Sequence, residues 1–255
     1  MSMAPQAADL RAFSIALGDD ALVLGQRLAE WVSNAPSLEE ELALANVALD
    51  HIGRARMFYG HAAEIAADGS DEDSIAFGRD TRTYTNLLIN ELPRGDFAFT
   101  MVRQFLVDAF NVPFLTALAA SSEPTLAAIG EKAVKESAYH LRRSRDWMLR
   151  LGDGTAESHD RAQRAAEELW GYTRELFEPF GAEARLTAAR VITDRAALED
   201  AWRREVGATF VEATLQVPQS TWSIRGGRDG VHTEHLGYLL AEMQFMQRAY
   251  PGQRW

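Results

Sequence analysis

Glu136 and His140 stand four residues apart in the run KESAYH, residues 135–140. A carboxylate and an imidazole on one helix face are the raw material of a metal centre. Helical bundles that hold two bridged metals use Glu-x-x-His, spaced three apart, on two helices and a single Glu on each of the other two. No glutamate in this sequence has a histidine three residues on: Asp50 has Gly53 there and Glu136 has Tyr139. The one Asp-x-x-His, Asp229 to His232, falls in a glycine-rich run. Moving the imidazole from i+3 to i+4 turns it by roughly 100° about the axis, so His140 keeps the face of Glu136 but addresses a metal from another direction.

Other acids share apolar stripes. Leu10, Leu17 and Leu24 carry Asp20 or Asp19; Leu42, Leu49 and Gly53 carry Asp50; Met101, Phe105 and Leu115 flank Asp108; Ala133 and Trp147 continue the line of Glu136 and His140. Buried carboxylates are costly unless paired or metal-bound, so four inward acids need partners. Two arrangements satisfy them. Asp20, Asp50, Asp108, Glu136 and His140 form a carboxylate-bridged di-metal oxidase site, or a cation such as Lys132, Lys135, Arg54 or Arg56 stands where a metal would be. Three of the four acids are aspartates, one methylene short of glutamate, which favours a vestigial site without metal.

Those acids need long helices to position them, and helical periodicity dominates the chain. Residues 7–33 form one amphipathic helix. A second starts at Ser37, with Glu40 completing a capping box, and runs to about Ala67. A shorter helical element with a polar middle follows. A third long helix is expected from Pro93 with Pro113 kinking or closing it, a fourth to Gly152 as its C′ residue, and a fifth over 158–180. Further helices cover 194–217 and 233–252, around the loop IRGGRDG. With almost no alternating strand pattern, the fold class is all-α: a ferritin-like helical bundle with additional short helices, one domain over 1–255.

Composition bounds the function. The net charge of −11, from 37 acids against 26 bases, argues against nucleic-acid binding. No run approaches the roughly 18–20 apolar residues of a membrane span. Zero cysteines exclude disulfides, thiolate metal sites and cysteine nucleophiles. The N-terminus has no signal-peptide pattern, and a cytoplasmic protein is expected.

Three segments, LGDDALVLGQRLAEWVSNAPSLEEELALANVALDHIGRAR, KAVKESAYHLRRSRDWMLRLGDGT and GVHTEHLGYLLAEMQFMQRAYPGQRW, resemble the C subunits of bacterial phenylacetyl-CoA 1,2-epoxidases, the PaaC family. The resemblance extends from about Leu17 to Trp255. It implies a ferritin-like, non-catalytic subunit of a multicomponent monooxygenase in phenylacetate catabolism, partnered by the catalytic A subunit and by a reductase. It also implies that this subunit binds no cofactor, the complex using di-iron, FAD, an iron–sulfur cluster and NADPH on other subunits. Contacts to the CoA part of phenylacetyl-CoA are expected at Arg82, Thr83, Tyr84 and Thr85. There a guanidinium suits a phosphate, hydroxyls can donate, and a ring can stack on adenine. Glu183, Ala184 and Arg185 make a second expected contact. A stand-alone CoA-ester binding protein is a third possibility.

Smaller features point elsewhere. Arg225 and Arg228 flank two glycines without the Lys-Ser/Thr of a phosphate loop. His232 and His235 have no evident third ligand, and Thr233 is placed to cap the last helix. His61 and Glu64 can meet on one helix face, and Trp255 suggests a docking tail.

Overall fold

A computed structural model describes residues 4–253 and is helical throughout, with no strand among the described residues. Trp255 lies outside them. Four long helices form the bundle: α1 (Pro5–Ala29), α2 (Leu38–Ala66), then, after two short elements α3 (Glu72–Phe77) and α4 (Leu88–Glu91), α5 (Phe97–Leu118) and α6 (Pro124–Gly152). Around them pack α7 (Ala156–Trp170), α8 (Gly181–Ala188), α9 (Glu199–Glu212), α10 (Glu234–Met243) and α11 (Phe245–Ala249).

Helices α1 and α2 form one antiparallel pair, with Gly18 facing Tyr59 and Gly25 facing Ala48. A Cβ on Gly18 would lie 2.4 Å from the Tyr59 ring, so only glycine allows that approach. Helices α5 and α6 form the second antiparallel pair, and the 67–96 segment crosses over between the two pairs, the ferritin-like arrangement. Helix α5 is buried on nearly all sides, as its largely apolar sequence requires. Its Phe105 and Phe110 meet Phe13, Leu24, Leu44, Leu126 and Trp202 in the main core. A smaller cluster of Leu22, Tyr59, Ile75, Tyr84, Leu236 and Leu240 seats α10 on the α1–α2 pair.

Several sequence expectations are adjusted here. Ser37 does cap α2, accepting from the Glu40 amide, but the Glu40 carboxylate does not close the box; it binds Arg143 and the Trp147 indole. Helix α5 continues through Pro113. The expected fifth helix stops at Trp170 and resumes as a 3₁₀ turn over Thr173–Phe177. Gly152 is the last helical residue of α6, with Asp153 as C-cap, and not the C′ residue; glycine is required there because a Cβ would meet the Ala213 carbonyl at 2.0 Å. On α2 the stripe of Leu42 and Leu49 faces solvent, at 57% and 64% exposure; the core stripe is Leu44, Val47, Ala48, His51, Ala55 and Phe58.

Candidate functional site

Asp108 sits fully buried at the centre of the bundle, where Gln104 Nε2 and Ser144 Oγ each donate to one of its oxygens at 2.8 Å. Burial pushes its carboxyl up to about 7, against the pull of Ser144, Gln104 and the nearby guanidiniums. From α2, Arg54 reaches in, buried, donating to Ser137 Oγ at 2.8 Å with Glu136 Oε2 at 3.9 Å. His140 Nε2 lies 2.9 Å from Asp50 Oδ2. Its ring lies tilted beside that of His51, with centroids 5.4 Å apart, and the two His51 nitrogens have no partner. Burial, then the Arg54 charge, holds the His51 imidazole well below its usual pKa; burial lowers His140 as well. Both rings are therefore neutral, with free lone pairs, near pH 7.

Three of the inward acids thus gather around Arg54 and the two histidines. Asp50 sits at the rim, 39% exposed, because α2 turns its Leu42–Leu49 stripe outward; Glu136 on α6 is beside it, 23% exposed. Asp20 belongs to a neighbouring cluster. It accepts from the Leu87 amide at 2.7 Å and from Arg228 at 2.5 Å, and a cavity of about 30 Å³ lies between it and His51 and Arg54. Asp19 is likewise engaged, by Tyr59, Arg79 and Thr85. Of the expected cations, Arg54 takes the central place; Arg56 pairs with Glu72 at the surface, and Lys132 and Lys135 are exposed.

Di-iron does not fit these residues. Gly53 and Tyr139 occupy the two positions where the histidines of Glu-x-x-His would stand, Asp20 is held by Arg228, and a buried guanidinium lies among the remaining carboxylates. The acids that remain, Asp50, Asp108 and Glu136, all face that guanidinium.

The two expected CoA-contact segments flank α1. Arg82 and Thr83 are exposed, with Thr83 Oγ1 donating to the Asp80 carbonyl at 2.7 Å. Tyr84 is fully buried: its hydroxyl donates to the Ala76 carbonyl, and the Arg79 guanidinium covers the ring at 4.2 Å. No face of it is open to an adenine. Thr85 donates its amide to Asp19 at 2.8 Å. In the second segment Glu183 is fully buried and pairs with Arg195 at 2.6 Å, whereas Ala184 and Arg185 are exposed, Arg185 gripping Asp9 through two nitrogens. Arg228 links the two segments, donating to the Thr85 carbonyl at 2.6 Å with its guanidinium 5.6 Å from the Phe180 ring.

The glycine-rich loop proves to be a clasp. Glu175 accepts from the amides of Leu88, Gly226 and Gly227 at 2.7–3.0 Å. Gly227 and Gly230 are needed there, since a Cβ would meet the carbonyls of Asn86 at 2.1 Å and Arg82 at 2.2 Å. His232 is not a metal ligand in this arrangement: Nδ1 reaches Glu91 at 2.7 Å and Nε2 the Tyr84 carbonyl at 2.8 Å. Both acceptors require an N–H, so the ring is an imidazolium. Thr233 precedes α10 without capping it through its side chain; its amide binds Glu91 instead. His61 faces Glu123 at 3.4 Å, rather than Glu64.

Sequence reasoning missed His51, although its seven-residue steps from Leu44 and to Phe58 mark it as core-facing. It also missed Arg195, Glu91 and Glu175, and the pairing of Arg228 with Asp20, because these residues lie in turns or short elements where no periodicity marks burial.

An all-α bundle of two antiparallel helix pairs, with polar groups at its centre, defines a ferritin-like protein. The chain belongs to the family described as phenylacetic acid catabolic protein, whose profile it matches over residues 2–255. It is 50% identical over 246 residues to the C subunit of the 1,2-phenylacetyl-CoA epoxidase of Escherichia coli (strain K12), covering 96% of this chain and 99% of that one. No described helix is long and apolar enough to cross a membrane.

Proposed function

We propose that this chain is a non-catalytic, cytoplasmic subunit of a phenylacetyl-CoA 1,2-epoxidase. It binds and supports a di-iron catalytic A subunit, while a reductase passes electrons from NADPH through FAD and an iron–sulfur cluster. The observation that carries this reading is the buried Arg54 guanidinium, facing Glu136, Asp108 and Asp50 at the place where a catalytic bundle would hold bridged metals. Similarity to the E. coli protein supports the same role.

The chain also lends part of its surface to the CoA end of the substrate. Arg82, Thr83, Ala184 and Arg185 are the exposed members of the two candidate segments and supply the contacts. Tyr84, Thr85 and Glu183 hold those segments in place.

Reconstitution tests this. With reductase and NADPH, the chain alone gives no epoxide from phenylacetyl-CoA, the A subunit supplies the turnover, and adding the chain raises it. Turnover by the chain alone, or an A subunit indifferent to it, overturns the proposal. Tight binding of phenylacetyl-CoA by the isolated chain would favour a stand-alone CoA-ester binder.

A further inference from the structure

The same geometry that excludes two bridged metals leaves a complete donor set for one. We propose that the centre of the bundle binds a single divalent transition-metal ion, ligated by His51, His140 and Asp108. Their donor atoms lie within 4.8 Å of one another, and all three residues are buried. Donors around a single ion at a radius of about 2.1 Å stand at most about 4.2 Å apart, so side-chain shifts of roughly 1 Å close the set.

Four independent features fit an ion. The first is the state of the imidazoles. Both nitrogens of buried His51 and Nδ1 of His140 lack partners, and an ion would take the one lone pair that each neutral ring offers. The second is orientation. Asp50 engages His140 through Nε2, leaving Nδ1 to face the ion; this is the carboxylate–histidine–metal relay by which ligating imidazoles are held. Gln104 and Ser144 fix the Asp108 carboxylate in the same manner.

The third is charge. Arg54 faces three carboxylates, Asp50, Asp108 and Glu136, and Arg143, the next cation, is engaged by Glu40. The three carboxylates outnumber the Arg54 guanidinium, even with exposed Lys132 acting on Glu136, and a bound cation would offset the excess. The fourth is access. The half-exposed rim of Asp50 and Glu136 between α2 and α6 connects the fully buried His140 side chain with solvent.

Two imidazoles and one carboxylate select zinc, cobalt or ferrous iron over magnesium or calcium, which prefer all-oxygen shells. The ion's role is structural: its ligands come from three helices, so it pins α2 to α5 and α6, and no redox step is assigned to it.

The full-length chain, stripped with a chelator and dialysed, is titrated with Co²⁺ while the visible d–d bands are recorded; bound zinc is counted separately after Zn²⁺ loading. One ion per chain is expected, with imidazole-type Co²⁺ bands. His51→Leu keeps the site apolar and compact, and with helical content unchanged by circular dichroism it should weaken binding at least 100-fold. Asp50→Asn, which weakens the relay and removes one of the three carboxylate charges, should weaken it 10–100-fold. No binding by the folded wild type overturns the proposal. So does one ion per chain that survives His51→Leu, or two ions per chain; the last would also overturn the scaffold reading, whereas absence of binding would leave that reading standing.

Discussion

Arg195 Nε and Glu183 Oε1 meet at 2.6 Å in a place where neither side chain has any solvent exposure. A pair of this kind gives modest net stability while intact, yet removing one partner strands a buried charge. Glu183→Ala should therefore lower stability by about 3–5 kcal/mol, seen as a fall in the urea midpoint. Arg185→Ala, two residues away on the exposed side of α8, should leave the midpoint essentially unchanged. If the two variants behave alike, Glu183 is not the structural anchor described above.

The His232 imidazolium gives the clasp a pH dependence with a definite sign. Burial works against its charge, but the Glu91 hydrogen bond, the Tyr84 carbonyl and the charges of Glu91 and Asp19 outweigh it, and the net pKa is raised. A raised imidazole pKa stabilises the fold fully below the unfolded value of about 6.5, and that contribution is lost as pH rises through the folded value. The urea midpoint should fall on going from pH 6 to alkaline pH, and His232→Gln should make the curve flatter across that window. Equal slopes in the two proteins would rule out His232 as the source.

Gly230 has φ +72°, and a Cβ there would lie 2.2 Å from the Arg82 carbonyl. Gly230→Ala is strained in its own backbone and pushes against the 81–85 segment. It should cost about 1–3 kcal/mol and weaken phenylacetyl-CoA use by the reconstituted complex through the displaced Arg82. Arg82→Ala should raise KM for phenylacetyl-CoA with kcat and thermal midpoint unchanged. A normal KM in both variants would remove this segment from the substrate path.

A Cβ at Gly152 would stand 2.0 Å from the Ala213 carbonyl, backbone that cannot rotate away. Gly152→Ala should destabilise by about 1–3 kcal/mol in chemical denaturation. Gly53→Ala on α2, where nothing lies within 4 Å, should be neutral or slightly stabilising because alanine favours the helix. The contrast checks whether glycine is required for space or merely tolerated.

Helix periodicity made the four long helices legible in the sequence, because each carries a continuous apolar stripe over many turns. It misled on α2, which has two such stripes. Leu42 and Leu49 suggested the inward face, whereas the buried line is Leu44, His51 and Phe58. That one rotation turned Asp50 from a central acid into a rim acid and hid His51. Asp108 was legible because α5 is buried on nearly all sides, and His140 because α6 presents one core face. The Asp20–Arg228 pair was not, since it joins residues 208 positions apart and one partner lies in a loop. Nor was the burial of Tyr84, which depends on Arg79 and on the arrival of α10.

The clasp of residues 226–233 also sets a schedule for synthesis. Asp20, Glu91 and Glu175 are all made long before the groups that satisfy them: Arg228, His232 and the amides of Gly226 and Gly227. At about 5–20 residues per second, the 208 residues separating Asp20 from Arg228 take roughly 10–40 s to translate. Throughout that interval Asp20 has the Leu87 amide, Glu91 the Asn86 side chain and Glu175 the Leu88 amide, but none of the three has its partner in the clasp. A chain that stops short of residue 226 would leave each of these carboxylates with only part of its hydrogen bonds, so the buried polar network closes late in synthesis.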